Sequence, residues 1–325
     1  MRRPRHRRGP GQPLSAVRLQ PLTRARVASL GEVGAAWHRS LPDVLTALED
    51  RWSVRVGRPL PGGSASYVVE ATTLEGEPRV VKVVLPDRDL ADEARTLAAA
   101  EGIGYARLHA HDPARRALLL EALGDSLERS VLAPEDRIVV LADTLREAWR
   151  VPLASAPPVD DVADDKAISL RTMVLALDGR LGGRCHPRVL RQAVEYADRR
   201  AADFDPAASV VVHGDPHPAN ALRVPGPRPG AGSGYVFVDP DGFRCDPAYD
   251  AGVVLRDWTG RLTGDDARAV LEGYCDLLAE HTGLDRQRIW EWGFLERVST
   301  GLYVSGFGAD RIGSALLRSA EALVD

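Results

Sequence analysis

The chain has 325 residues, of which 44% are apolar and 27% are charged, and this mixture excludes collagen, coiled coil and wholesale disorder. No run of about 18 apolar residues occurs, so the sequence predicts no membrane-spanning helix. The formal net charge is −4, but residues 1–13 carry five arginines and no acidic side chain, which leaves −9 for the rest of the chain. Such an acidic body argues against a nucleic-acid partner and favours a cationic small-molecule substrate.

The N-terminal segment and the cysteines bear on the cellular compartment. The segment is basic, but no apolar stretch follows it, so we expect no secretory signal. Cys185, Cys245 and Cys275 are far apart and lack CxxC spacing, which fits neither a disulfide framework nor a zinc site. These features together predict a cytoplasmic protein. Residues 1–35, rich in Arg, Pro, Gly and Ala, are expected to form a loosely ordered basic extension.

A strand-rich region follows this extension. Apolar residues from Leu41 to Trp52 recur at helical spacing and predict a helix there. Turn residues then separate short apolar runs, and the run Val80–Val84, interrupted only by Lys82, predicts a strand that is buried on both faces. The expected elements are strands at 54–60, 67–71, 80–84, 106–110 and 117–120, and a helix at 87–100.

Beyond Glu121 the apolar period becomes helical. Helices are predicted at 138–149, 167–180, 188–203 and through 251–325, with short strands at 210–212, 221–224 and 235–238. This order of elements predicts an α+β fold. A small β-rich lobe at 36–120 and a hinge at 121–124 precede a larger, mainly helical lobe at 125–325.

The segment His213–Asn220, with the sequence HGDPHPAN, lies between two predicted strands and carries the strongest chemical signal in the chain. Asp239 ends a later strand, 19 residues beyond Asn220. Phosphoryl transfer to a hydroxyl needs a carboxylate that accepts the hydroxyl proton. It also needs an amide oxygen and a second carboxylate that hold Mg²⁺ against the triphosphate. Asp215 and Asn220, five residues apart on one loop, can hold a base and a metal ligand at a fixed spacing.

This loop, Asp239 and the run Asp246–Asp250 (DPAYD) resemble the aminoglycoside phosphotransferase superfamily, whose fold is protein-kinase-like. From residue 36 to the C-terminus the chain is most similar to the streptomycin 6-kinase branch, the aminoglycoside/hydroxyurea antibiotic-resistance kinases. The features shared with that branch are the helix ending at Trp52, Gly63–Ser66, Leu118–Glu121 and Val238–Pro240. The resemblance implies that Asp215 is the catalytic base and that Asn220 and Asp239 bind Mg²⁺. It further implies that ATP or GTP is the phosphoryl donor.

Lys82 lies among four valines, and a buried ammonium group is costly unless an anion meets it. In the fold that the chain resembles, this lysine contacts the α- and β-phosphates and pairs with a glutamate on the next helix. Glu93 is the candidate, because Leu90 and Leu97 place it on the apolar face of that helix. The alternative is a lysine that extends from an edge strand into solvent.

Two further segments are candidates for nucleotide binding. Gly62, Gly63 and Ser64 lie between two strands, where glycines allow close approach of backbone N–H groups to phosphates, although such turns are also common in ordinary hairpins. The chain has no Walker A lysine motif, which excludes a P-loop fold. Glu121 and Leu123 fall where the resemblance places the backbone that would hydrogen-bond to the adenine.

Other residues are expected to support the site or to contact the acceptor. His213 is expected to hold the loop by packing or hydrogen bonding, and no role is assigned to His217. Asp250 is expected to be a buried carboxylate that accepts hydrogen bonds from the backbone of the catalytic loop. Asp241 is either a contact to substrate or a second Mg²⁺, or a turn residue beside Gly242. Asp160 and Asp161, in the acidic run 160–165, either face cationic groups of the substrate or are merely solvated.

These features predict an ATP-dependent O-phosphotransferase that acts on a small hydroxylated molecule. A streptomycin-like aminoglycoside, inactivated by phosphorylation, is the leading acceptor, while hydroxyurea, another antibiotic or a metabolite remains open. A nucleotide-binding pseudokinase module is the alternative, and a nucleotide-turnover assay distinguishes it. A protein kinase is disfavoured, because only six residues between Asp239 and Asp246 leave no room for an activation segment. We expect no nucleic-acid, membrane or obligate protein partner.

Overall fold

The computed structural model describes residues 17–60, 65–156, 165–262, 264, 266–306 and 308–324. The chain divides into two compact units. The first comprises the described residues up to Ala94 together with Arg107–Ala122, and the second comprises Arg95–Ala106 together with the described residues from Leu123 onward.

The first unit contains a five-stranded antiparallel sheet with the strand order β1-β2-β3-β5-β4. Its strands are β1 (Val54–Pro59), β2 (Ser66–Thr73), β3 (Pro78–Val84), β4 (Leu108–Asp112) and β5 (Ala117–Glu121). Strand β3 lies at the centre of the sheet, where Lys82 is paired with Val68 on one side and Leu118 on the other. The burial of β3 on both faces follows from the apolar run that it was predicted to form.

Two helices precede the sheet, α1 (Pro21–Ser29) and α2 (Gly31–Trp52). The expectation of a loosely ordered segment at 1–35 is therefore wrong for residues 17–35, whereas residues 1–16 lie outside the described residues. Leu19 and Val27 are buried in the same apolar cluster as the inward face of α2 and the sheet. Their order comes from this tertiary burial, since the local pattern of α1 is only weakly amphipathic.

Helix α3 (Ala91–Ala100) follows β3, and its first turn is fixed by Asp89, whose Oδ1 accepts a hydrogen bond of 2.9 Å from the N–H of Ala91. The helix therefore begins four residues later than the pattern at 87–100 predicted. Leu90 and Leu97 are buried on the side that also carries Glu93.

The second unit is mainly helical. Its further helices are α4 (Pro134–Ala148), α5 (Lys166–Arg180), α6 (Pro187–Ala202), α7 (Ala248–Arg256), α8 (Ala267–Thr282), α9 (Arg286–Ser305) and α10 (Asp310–Glu321). Helix α9 is buried along most of its length and packs against α7. No helix among the described residues is long and apolar enough to cross a membrane.

Two short antiparallel ladders lie within the helical unit. Strand β6 (Val210–Val212) pairs with β9 (Phe243–Cys245), and β7 (Ala221–Arg223) pairs with β8 (Tyr235–Phe237). Strand β9 was not predicted from the sequence, and its pairing with β6 is evident only in the structure. The segment 213–220 connects β6 to β7, so both of its ends are held by ladder hydrogen bonds.

Candidate active site

Lys82 and Glu93 form a buried ion pair within the first unit. The Nζ of Lys82 lies 2.6 Å from Oε1 and 2.7 Å from Oε2 of Glu93, and the two side chains are 7% and 11% exposed. Because β3 is the central strand, the alternative of an edge-strand lysine that reaches into solvent is wrong. A buried ammonium that is held by a carboxylate in this way is suited to contact an anion.

The structure describes only some of the other residues that were predicted to bind the nucleotide. Glu121 ends β5, where its N–H donates to the carbonyl of Arg107 at 3.0 Å and its Oε1 accepts from the N–H of Arg107 at 2.9 Å. Leu123, in the second unit, packs against the small apolar cluster of Val224, Ala231 and Val236. Gly62, Gly63 and Ser64 lie outside the described residues, as do Asp160 and Asp161.

The catalytic-loop candidate begins with a tight backbone approach at Gly214. Its φ is +92°, and a Cβ at this position would lie 2.7 Å from the Cβ of Asp241. The N–H of Asp241 donates to the carbonyl of His213 at 2.7 Å. Only glycine tolerates both this conformation and this contact, which explains the second letter of the motif. Asp241 therefore packs against the loop.

His213 holds the loop as a neutral, buried imidazole. Its Nε2 lies 2.9 Å from the carbonyl oxygen of Val238, and its Nδ1 accepts a hydrogen bond of 3.1 Å from the N–H of Asp215. The proton is therefore on Nε2. The ring stacks on Tyr105 and meets Phe237 edge-on. Burial lowers the pKa of His213 to about 4, which keeps the ring uncharged at neutral pH.

Asp250 anchors the same loop from helix α7. Its Oδ2 accepts hydrogen bonds from the N–H of His213 at 2.8 Å and from Nε1 of Trp149 at 2.9 Å, and its Oδ1 accepts from the N–H of Gly214 at 2.9 Å. Burial raises the pKa of Asp250 to about 6, although the three donors act in the opposite direction. The carboxylate satisfies two backbone N–H groups at the start of the loop and so fixes the direction in which Asp215 leaves it.

Asp215, the predicted base, lies at the surface of this framework with 43% of its side chain exposed. Its Oδ1 accepts a hydrogen bond of 2.9 Å from Nη2 of Arg256, and its Oδ2 lies 3.5 Å from Nε2 of His217. Desolvation alone would raise the pKa of Asp215, but the charge of Arg256, followed by that of His217, outweighs it and holds the pKa below its ordinary value. The carboxylate is therefore ionised at neutral pH and able to accept a proton.

Asn220 and Asp239, the predicted metal ligands, are brought together by the β7–β8 ladder. The N–H of Val238 donates to the carbonyl of Asn220 at 2.9 Å, and Asp239 is the next residue. The Nδ2 of Asn220 donates to the carbonyl of Asp215 at 3.1 Å, so the amide oxygen is the end left for a cation. Asp239 has a φ of +59°, a conformation that costs a non-glycine residue about 1–3 kcal/mol and is often found at ligand sites.

The side chains of Asn220 and Asp239 suit Mg²⁺ better than they suit a metal whose ligands are all protein side chains. Within the described ranges, no group of three or more His, Cys, Asp or Glu side chains is placed to hold a metal ion. Mg²⁺ prefers oxygen ligands and is usually bound by one or two protein side chains, with water and substrate phosphates completing its shell. One amide oxygen and one carboxylate match that requirement.

Arg256, which contacts Asp215, was missed in the sequence. It ends helix α7 immediately after an apolar run, Ala251–Leu255, and its side chain is only 14% exposed. The argument that singled out Lys82 applies here as well, since a cation at the end of a buried segment needs anionic partners. What the sequence does not reveal is that Asp215, 41 residues earlier, is one of those partners.

The known proteins that this chain matches agree with one another and point to one family. Residues 51–306 match the family model described as aminoglycoside/hydroxyurea antibiotic resistance kinase. A streptomycin 6-kinase from Streptomyces glaucescens is 27% identical over 310 residues, which cover 94% of this chain and 96% of that protein. A streptomycin 6-kinase from Streptomyces griseus is 29% identical over 90% of this chain and 92% of its own length. A hydroxyurea phosphotransferase from Kitasatospora aureofaciens is 27% identical over 81% of this chain and 72% of its own length.

Solved structures agree with the predicted fold. A choline/ethanolamine kinase family protein from Mesorhizobium loti superposes with a TM-score of 0.58 at 17% identity, over 82% of this chain and 88% of that one. The predicted α+β, protein-kinase-like fold class is confirmed, with a β-rich first unit and a larger, mainly helical second unit. The chain belongs to the aminoglycoside/hydroxyurea antibiotic resistance kinase family and is a phosphotransferase that acts on a hydroxyl group.

Proposed function

We propose that this enzyme transfers the γ-phosphoryl group of ATP to a hydroxyl of a streptomycin-like aminoglycoside and thereby inactivates the antibiotic. The observation that carries the proposal is the exposed, ionised carboxylate of Asp215 on a loop that also presents Asn220 and leads to Asp239. Two relatives that match at least nine-tenths of the chain are streptomycin 6-kinases, and they support the choice of acceptor.

Asp215 acts in this proposal as the group that orients the acceptor hydroxyl and takes its proton. A carboxylate with a lowered pKa is a weak base, and this suits a loose transition state in which the leaving group departs early and the proton is lost late. Asn220 and Asp239 would hold Mg²⁺, which would neutralise charge on the triphosphate.

Lys82 is proposed to contact the α- and β-phosphates, with Glu93 fixing the position of its ammonium group. The segments with Gly62, Gly63 and Ser64, and with Glu121 and Leu123, remain the proposed contacts to the phosphates and the adenine. A cytoplasmic location fits this use of ATP and the presence of three buried cysteines with free thiols.

A cationic acceptor is favoured by the charges that surround Asp215. Arg256 is the cation in contact with it, but the same guanidinium also contacts Asp257 and Glu296, so carboxylates outnumber it. Asp160, Asp161 and Asp241 are proposed as further acidic neighbours of the acceptor. Asp165, at the end of the same acidic run, caps helix α5 instead. Its Oδ1 accepts hydrogen bonds from the N–H groups of Ala167 and Ile168.

Hydroxyurea is the second candidate acceptor, because a hydroxyurea phosphotransferase is 27% identical over 262 residues. It is small and uncharged, so its recognition would not draw on the acidic surroundings of Asp215. The two acceptors therefore differ in how their KM values should respond to salt.

The test is an acceptor panel with [γ-³²P]ATP and Mg²⁺, containing streptomycin, other aminoglycosides, hydroxyurea and choline. Streptomycin should be phosphorylated with the highest kcat/KM, and Asp215→Asn should reduce that rate by about 10²–10⁴-fold while ATP affinity is retained. Asp198→Asn is the matched control, since Asp198 forms an exposed ion pair with Arg171 and should keep full activity. Transfer to no aminoglycoside, or activity of Asp215→Asn within tenfold of wild type, would overturn the proposal.

A further inference from the structure

Arg256 is the centre of an ion-pair network beneath the proposed base. Its Nη2 lies 2.9 Å from Oδ1 of Asp215, its Nε 2.8 Å from Oδ1 of Asp257, and its Nη1 3.5 Å from Oε2 of Glu296. All three nitrogens of the guanidinium thus face carboxylates in different directions. A planar cation held at three points cannot rotate, so its Nη2–H bonds have one fixed direction.

The anchor of this network lies in the helical core. Glu296 is 5% exposed on α9, and its Oε1 accepts a hydrogen bond of 2.8 Å from the hydroxyl of Tyr249, which is 2% exposed on α7. The Oε2 atom faces Arg256. The position of the guanidinium is therefore set by two packed helices, and not by the exposed loop that carries Asp215.

The two oxygens of Asp215 are held unequally as a result. Oδ1 receives a normal hydrogen bond from Arg256, whereas Oδ2 lies 3.5 Å from Nε2 of His217. A separation of 3.5 Å is at the limit of hydrogen bonding. His217 is itself held by a hydrogen bond from the N–H of Ala219 to its Nδ1 at 3.2 Å, so its ring cannot easily approach further.

We propose that Arg256 is a positioning residue that fixes Oδ1 of Asp215, so that Oδ2 is the atom that accepts the proton of the acceptor hydroxyl. Glu296 and Tyr249 hold Arg256 in the orientation that this requires. The inference rests on the proposed function, because it assumes that Asp215 is the base. Under this proposal, Arg256, which lies outside the catalytic loop, determines the orientation of the Asp215 carboxylate.

The first test replaces Arg256 by lysine, which keeps the charge and removes the planar, three-point contact. Displacement of a reacting group by about 1 Å can lower the rate about 10²-fold, so kcat should fall by about 10–100-fold. KM for ATP and the melting temperature should change little. Glu296→Gln should give a kcat between those of Arg256→Lys and the wild type, because the guanidinium keeps two of its three anionic contacts.

The matched control is Arg200→Lys. Arg200 is also buried and its Nε lies 2.6 Å from Oε2 of Glu291, but its ion-pair partners do not include Asp215. This variant should be destabilised at least as much as Arg256→Lys and yet keep a kcat near that of the wild type. An unchanged kcat in Arg256→Lys, or an equal fall of kcat in both lysine variants, would refute the positioning role.

Chemical rescue separates positioning from stability. In Arg256→Ala, guanidinium at millimolar concentration should restore part of kcat, while methylammonium, a cation without the planar fork, should not. If the alanine variant does not fold, the kcat values of Arg256→Lys and Glu296→Gln test the positioning role.

If the wild type phosphorylates no acceptor, the proposed function is refuted, and the positioning role needs a test that does not use activity. Crystal structures of wild type and Arg256→Lys then test whether the Asp215 carboxylate rotates, and an unmoved carboxylate overturns the inference.

Discussion

The buried ion pair between Lys82 and Glu93 allows a sharp prediction about stability. Its side chains are 7% and 11% exposed, and both oxygens of the glutamate lie within 2.7 Å of the ammonium. Removing one member leaves the other charge buried, which costs about 3–5 kcal/mol. We take about 3 kcal/mol for Lys82→Met and for Glu93→Leu, since the small exposure lets water reach the remaining charge.

The double variant should be more stable than either single variant. Two well-packed apolar side chains need no desolvation of charge, so Lys82→Met with Glu93→Leu should recover all but about 1 kcal/mol of the free energy of unfolding. Catalysis should be lost in all three variants, because the ammonium that is proposed to contact the phosphates is absent or no longer held in position.

The assay is urea unfolding at pH 7, followed by circular dichroism and analysed as a double-mutant cycle. The control pair is Arg58 and Glu70, which are joined at the same short distance of 2.7 Å but are 78% and 39% exposed. Replacing them by Met and Leu should change the free energy of unfolding by less than about 1 kcal/mol per variant. Additive losses in the Lys82–Glu93 cycle, or single variants as mild as those of the control, would refute the reasoning.

Three further predictions concern the second unit. Asp239→Ala should raise the Mg²⁺ concentration needed for half-maximal activity, and an unchanged Mg²⁺ titration would move the metal to Asp241 instead. Asp250 has its pKa raised from 3.8 to about 6 in the folded state, so between these pH values the folded protein binds more protons than the unfolded one. The wild type should therefore lose about 2 kcal/mol relative to Asp250→Asn as pH rises from 4 to 6, and parallel curves of unfolding free energy against pH would contradict this. The KM for streptomycin should rise with ionic strength as the Debye length shrinks from about 30 to about 8 Å, while the KM for hydroxyurea should not; equal salt slopes would argue against charge steering.

Most of the candidate site could be predicted from the sequence because its residues lie close together along the chain. Asp215 and Asn220 lie on one loop, which is flanked by the short strands Val210–Val212 and Ala221–Arg223. Lys82 and Glu93 are 11 residues apart, on a strand and the helix that follows it, and each shows in the pattern of its own element. At such short separations along the sequence, few other side chains are within reach of each of these residues.

The contacts that orient the site are long-range, and these only the tertiary structure decided. Trp149 donates to Asp250 across 101 residues, and Arg256 reaches Asp215 across 41 and Glu296 across 40. Helix α1 likewise escaped prediction, because the two apolar residues of this region that become buried, Leu19 and Val27, reveal their role only once the sheet offers a surface. The sequence by itself determined which chemical groups are present and how they alternate along each element. Which buried cation meets which carboxylate depended on how α7 packs against α9, since the cost of burying a charge selects a partner by distance in space and not by separation along the chain.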